Sequence, residues 1–186
     1  MFEESAHLMR ARVWQWLRKH DAALAAYEDA LRANPASFAT ATRIAHLLAQ
    51  RGRLAEAETS FERVLAIRPD DADTMFNLGF VRHQQRKEEQ AIATFREAVR
   101  LKPAQDRAWY GMGVALRTLG RYDEAIAADE EATRLQPMNP HAWYELAMAH
   151  HALGHAREVK KIIARVEEFD PGMTVQLKRD TGNLTG

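Results

Sequence analysis

The residues in this chain most readily taken for chemistry are three histidines, His150, His151 and His155. Two imidazoles at i, i+4 share one helix face and can grip a metal ion, and only His151 and His155 have that spacing. Gly154, a helix-ending residue, falls between them, and no acid accompanies them in the arrangement that zinc helices use, so no metal site is expected. No glycine loop suited to phosphate and no nucleophile with a partnered base is present, so neither catalysis nor a cofactor is expected. Charge runs such as Arg86-Lys87-Glu88-Glu89 and Asp129-Glu130-Glu131 read as solvated faces. What remains is the chemistry of recognition. Phe76, Phe80 and His83 stand at i, i+4 and i+7, and so do Tyr110, Val114 and Arg117, and Tyr144, Met148 and His151. Each set makes a stripe on one helix, beside a packed stripe such as Met75, Leu78 and Gly79. Rings and apolar chains edged by Arg and His suit an extended or helical peptide with apolar anchors and acidic residues.

The elements that must carry these stripes recur at a fixed period. Pro35, Pro69, Pro103, Pro137 and Pro171 follow one another at intervals of 34 residues. Tyr27, Phe61 and Phe95 precede the first three by a common offset, and Ala23, Ala57, Ala91 and Ala125 precede the first four by another. Gly52, Gly120 and Gly154 share a third offset, at which Arg18 and Arg86 stand in the other two copies. Within a copy the apolar residues come in two helical runs broken at that glycine. In the first copy the runs are Leu8, Met9, Val13, Trp14 and Leu17, then Ala23, Leu24, Tyr27, Ala30 and Leu31. Asp70-Asp71-Ala72-Asp73 suits the start of a helix, and Asn139-Pro140 reads as a cap followed by a first helical residue, which accounts for the one proline out of phase.

The 34-residue period and the phased Ala, aromatic, Gly and Pro positions resemble the tetratricopeptide repeat family over about residues 4–173. The resemblance implies an all-α fold, a right-handed superhelical solenoid of antiparallel helix pairs. Five repeats would lie at about 4–37, 38–71, 72–105, 106–139 and 140–173, followed by a short cap or flexible tail, 174–186. It also implies that the first helices of successive copies line a concave, peptide-binding surface. Carried over by position, that groove holds Arg12, His46, Phe76, Asn77, Phe80, His83, Arg107, Tyr110, Val114, Arg117, His141, Tyr144, Met148 and His151, with Ser5, Leu8, Gln15, Ala39, Thr42, Ala49 and Asp73 beside them. The apolar trio Phe80, Val114 and Met148 replaces residues that are commonly polar in the family. The clamp with which some members hold a terminal carboxylate falls on Thr42, His46, Asn77, Arg107 and Gly111, and only Asn77 and Arg107 match it. The function implied is a non-catalytic scaffold or adaptor, or alternatively the regulatory or substrate-recruiting arm of a larger enzyme or secretion machine.

Composition narrows the partners. Lys plus Arg and Asp plus Glu each number 26, so no net field favours nucleic acid or an anionic membrane. The absence of cysteine excludes disulfides and thiolate metal sites. Met1-Phe2-Glu3-Glu4-Ser5 lacks the apolar segment of a secretory signal, and no run reaches membrane-span length, which points to a cytoplasmic chain; a periplasmic form after processing has the same composition. Three further expectations concern packing. Asp129 takes the place of Tyr27, Phe61 and Phe95 and is expected to contact His150 and raise its pKa. Arg82, at the equivalent of Trp14, is expected to lay its stem along Phe61. Met173 to Leu177 reads as a short turn and Thr181 to Gly186 as mobile, leaving Ile162, Ile163, Val166 and Phe169 as a partly open face for self-association.

Overall fold

The computed structural model describes residues 2–183; among them are eleven α-helices and no strand. Two compact units make up the chain, Met1–Lys87 and Glu88–Gly186, the division falling in the turn of the third copy. The N-terminal unit holds α1 (Phe2–Trp16), α2 (His20–Ala33), α3 (Phe38–Gln50), α4 (Leu54–Ile67) and α5 (Ala72–Gln84). The C-terminal unit holds α6 (Glu88–Leu101), α7 (Asp106–Thr118), α8 (Tyr122–Leu135), α9 (Pro140–Ala152), α10 (Ala156–Glu167) and α11 (Pro171–Asp180). In each unit consecutive helices pack on one another.

Alternating large and small residues set this packing. In the N-terminal unit Tyr27, Leu31, Ile44, Phe61, Val64 and Val81 fill the core, and the fully buried alanines Ala11, Ala23, Ala45 and Ala57 let the helix backbones approach. The C-terminal unit uses Ile92, Phe95, Leu116, Val159, Val166 and Leu177 in the same way. Between the two helices of every copy the chain turns through one left-handed residue: Arg18 (φ 58°), Gly52 (70°), Arg86 (62°), Gly120 (74°) and Gly154 (73°). The following amide closes the turn on a carbonyl five residues back, Arg53 on Leu48 (3.0 Å) and Arg121 on Leu116 (3.0 Å) for example, which satisfies a helix-end carbonyl. Asp71 caps α5 by accepting from the Thr74 amide (2.9 Å), and Asn139 caps α9 by accepting from the His141 amide (3.1 Å), with Pro140 at the first helical position.

Both ends differ from the sequence expectation. Met9 and Val13 are exposed on α1 and Leu17 just past its end, and Trp16 is the most exposed of the described large apolar residues at 81%. The residues one and two periods after Val13, Leu47 and Val81, are buried, each with an earlier helix of the unit beside it; α1 has no such neighbour among the described residues. At the other end, the stretch read as a turn is a ten-residue helix. Asp170 caps it by accepting from the Met173 amide (2.8 Å), and Pro171 opens it. Leu177 is fully buried against Ile162, Ile163 and Val166, which are themselves buried, so the open apolar face that suggested self-association is covered. Thr181 is buried, its Oγ1 donating to the Leu177 carbonyl at 2.6 Å; of the segment expected to be mobile, residues 184–186 lie outside the described residues.

Candidate functional site

On the first helices of the N-terminal unit, the expected site residues differ in accessibility. Arg12 on α1 is exposed. His46 on α3 is half-buried with its ring edge-on to Phe61 (5.3 Å between centroids), and burial pushes its pKa below the ordinary histidine range. On α5, Phe76 is 7% exposed and supports Phe80, which is 46% exposed and stacked on it at 6.4 Å; Asn77 and His83 are half-buried on the same helix. Phe76 thus forms the base and Phe80 the surface of this stripe. Arg82, on another side of α5, reaches Glu58 (3.0 Å) and Glu62 (2.8 Å) of α4, and Gln85 and Lys87 also donate to Glu58 (2.8 and 2.6 Å). Burial pushes the Glu58 carboxyl up, but the bonds from Lys87, Arg82 and Gln85 outweigh it and hold the pKa below the usual value.

In the C-terminal unit α7 and α9 touch. Tyr110, Val114, Tyr144 and Met148 are half-buried, whereas Arg107, His141 and His151 are exposed. Arg117 donates to Glu145 at 2.5 Å, which ties α7 to α9, and the Tyr144 hydroxyl donates to Asp180 of α11 at 2.9 Å. Glu145 was missed in the sequence, where the signal was a single acid between the apolar positions Tyr144 and Leu146. Beneath the stripe lies Asp129 of α8, 0% exposed, neither carboxylate oxygen having a partner in the structure. Burial, and after it the charge of Glu145, raises its pKa to about 8 despite the opposing pull of Arg117. Burial, Glu145 and Asp129 also push the Tyr110 hydroxyl up.

The expected Asp129–His150 contact is not formed. The Asp129 carboxylate lies over Gly113 of α7, so close that a Cβ there would meet Oδ1 at 2.0 Å. His150 turns instead toward His155, with the two Nδ1 atoms 3.1 Å apart, and burial followed by the charge of His155 lowers its pKa instead of raising it. The structure thus pairs His150 with His155, not His151 with His155. Among the described residues no group of three or more His, Cys, Asp or Glu is placed to hold a metal ion, and no helix is long and apolar enough to cross a membrane.

A different face of α9 borders a cavity of about 560 Å³. Trp143, Leu146 and Ile162 give it an apolar floor between α8 and α10, and charged residues stand at its rim. The Trp143 indole donates to the Pro137 carbonyl at 2.9 Å, as Trp109 does to Pro103 at 2.9 Å one repeat earlier.

Two family profiles, both described as tetratricopeptide repeat, match the chain, one over residues 37–104 and the other over 78–137 and 110–156. No curated protein matches it. Among solved structures, MamA protein aligns with 100% of this chain and 98% of its own at 19% identity and a TM-score of 0.83. YrrB, described as a TPR protein with an unusual peptide-binding site, aligns with 93% of this chain and 90% of its own at 19% identity and a TM-score of 0.79. MamA from Desulfovibrio magneticus, residue 41 to the end, gives 96% of each chain, 18% identity and a TM-score of 0.78. At these identities the likeness is one of fold. The chain belongs to the tetratricopeptide repeat family.

Proposed function

We propose that this chain is a non-catalytic interaction module that holds a peptide segment of another protein against the first-helix faces: α5 in the N-terminal unit, and α7 with α9 in the C-terminal unit. The observation that carries this is apolar surface left uncovered where the core is already complete. Phe80 is 46% exposed, and Tyr110, Val114, Tyr144 and Met148 are half-buried on two touching helices whose other sides are packed. Contiguous apolar surface of this kind marks interaction sites. Arg107, His141 and His151 stand exposed beside it and favour a partner segment with acidic residues next to its apolar anchors. The shared fold with YrrB supports a peptide as ligand.

Charge placed on the apolar stripes tests the proposal. Met148→Glu in the C-terminal unit and Phe80→Glu in the N-terminal unit are expected to keep the helical circular dichroism of the parent. Each should reduce capture of the protein's partner, identified by co-purification and mass spectrometry, at least tenfold. Undiminished capture by both variants contradicts the proposal.

A further inference from the structure

The joint between α8, α9 and α10 carries a charge pattern that the preceding joint does not. One repeat earlier, Arg96 of α6 reaches across to Glu124 of α8 at 2.9 Å and bridges the two second helices. The residues one period on, 34 positions later, are Glu130 and Glu158, both acids, bordering the cavity of about 560 Å³. Arg134 and Arg165, both cations, border it one turn beyond Glu130 on α8 and two turns beyond Glu158 on α10. Three of these ions pair with residues three positions away in the chain: Lys161 with Glu158 (2.8 Å), Arg134 with Glu131 (2.7 Å) and Arg165 with Glu168. Two acids, Glu130 and Glu158, the latter bonded to Lys161, thus border the slot at the positions that an opposite pair joins one repeat before. His150 adds little positive charge at the acidic end near neutral pH, since burial and His155 depress its pKa against the pull of Glu158 and Glu130.

We propose that this slot, distinct from the first-helix stripes, is a second docking site, and that it takes an extended peptide presenting an acid, an apolar residue and a base at alternate positions. The acid lies between Arg134 and Arg165, the apolar side chain on Leu146 and Ile162, and the base between Glu130 and Glu158. Alternate side chains of an extended chain project on one side about 7 Å apart. The acid and the base, two such spacings or about 14 Å apart, lean inward along their flexible side chains to meet residues about 10 Å apart on α10 (Glu158 and Arg165) and about 6 Å apart on α8 (Glu130 and Arg134). The ligand's base supplies the charge that Arg96 supplies from within the chain at the earlier joint.

The probe is a fluorescein-labelled peptide of sequence Gly-Glu-Gly-Leu-Gly-Lys-Gly, with a control in which Gln replaces both charged residues. Binding is read by fluorescence anisotropy and by the shift of the Trp143 indole N–H signal in NMR. The parent protein is expected to bind the charged peptide at least tenfold tighter than the control. Glu130→Arg, which restores the arrangement of the earlier joint, should weaken binding at least tenfold with unchanged or raised Tm. Arg165→Glu should weaken it similarly and serves if the first variant does not fold. Met148→Glu, on the other face of α9, should leave it unchanged, which separates failure here from failure of the first-helix site. Equal binding of the control peptide, undiminished binding by a folded Glu130→Arg or Arg165→Glu protein, or an indole signal that does not move overturns the proposal. So does a concentration-dependent dimer in sedimentation that Glu130→Arg abolishes, since the slot is then filled by a second copy.

Discussion

Asp129 is the residue at which this chain departs most from its own repeat. Tyr27, Phe61 and Phe95 fill the equivalent positions with rings, whereas Asp129 places a partnerless carboxyl in a fully buried site. Its folded pKa, about 8, lies above the ordinary carboxylate value, so the folded state binds the proton more tightly than the unfolded chain. Stability is therefore fully present below the unfolded pKa and falls as pH rises toward 8, by up to about 1.4 kcal/mol per pH unit within that window. Asp129→Asn cannot ionise, so its Tm relative to the parent should rise steadily between pH 4 and pH 8; a constant difference across a thermal-melt series contradicts the burial argument. Gly113→Ala, whose Cβ would lie 2.0 Å from Asp129 Oδ1, should cost about 1–3 kcal/mol in denaturant unfolding. Most of that loss should vanish on an Asp129→Ala background, and additive losses would show that the two residues do not share the space. The break in the aromatic pattern was legible in the sequence. The partner was not, because the offset pointed to the first helix of the next copy, α9 with His150, whereas the short carboxylate lies over Gly113 of α7, the first helix of its own copy.

Among the elements, the turns were the most legible and the last helix the least. The glycine offset marked all five turns, including those where arginine stands, and Arg18 and Arg86 take the same left-handed conformation as the glycines. A side chain there is strained by its Cβ, so Arg18→Gly and Arg86→Gly should each stabilise by about 0.5–1 kcal/mol, read as a raised Tm. A lowered Tm would mean that the arginine side chains contribute more than the backbone relief. Helix α11 was hidden by the polarity of residues 171–183, where few side chains hold it in place. Asp170-Pro171 repeats the Asn139-Pro140 signature, and Leu177 alone supplies a fully buried large side chain. Leu177→Ala should cost about 2–5 kcal/mol and, by loosening the cover on Ile162 and Ile163, cause concentration-dependent association in sedimentation. A monomer of unchanged stability would show that α11 is not the cap of this end.

For the molecule as a whole, fixed-period packing residues define a tetratricopeptide fold, and function must come from side chains the packing does not use. That division explains what could be read in advance. The period and the alanine and aromatic offsets located ten of the helices, because each copy repeats the same burial problem. The site was less legible, because exposure on a stripe depends on neighbours: Phe76 stands under Phe80, Arg117 is tied to Glu145, and Tyr144 is bonded to Asp180. In the proposed function, recognition falls to the part of each stripe left uncovered. Amide hydrogen exchange of the full chain, with and without its co-purified partner, tests this most directly. Slowed exchange on partner binding is expected in α5, α7 and α9. Protection confined to the second helices α2, α4 and α6, with those first helices unchanged, would contradict it.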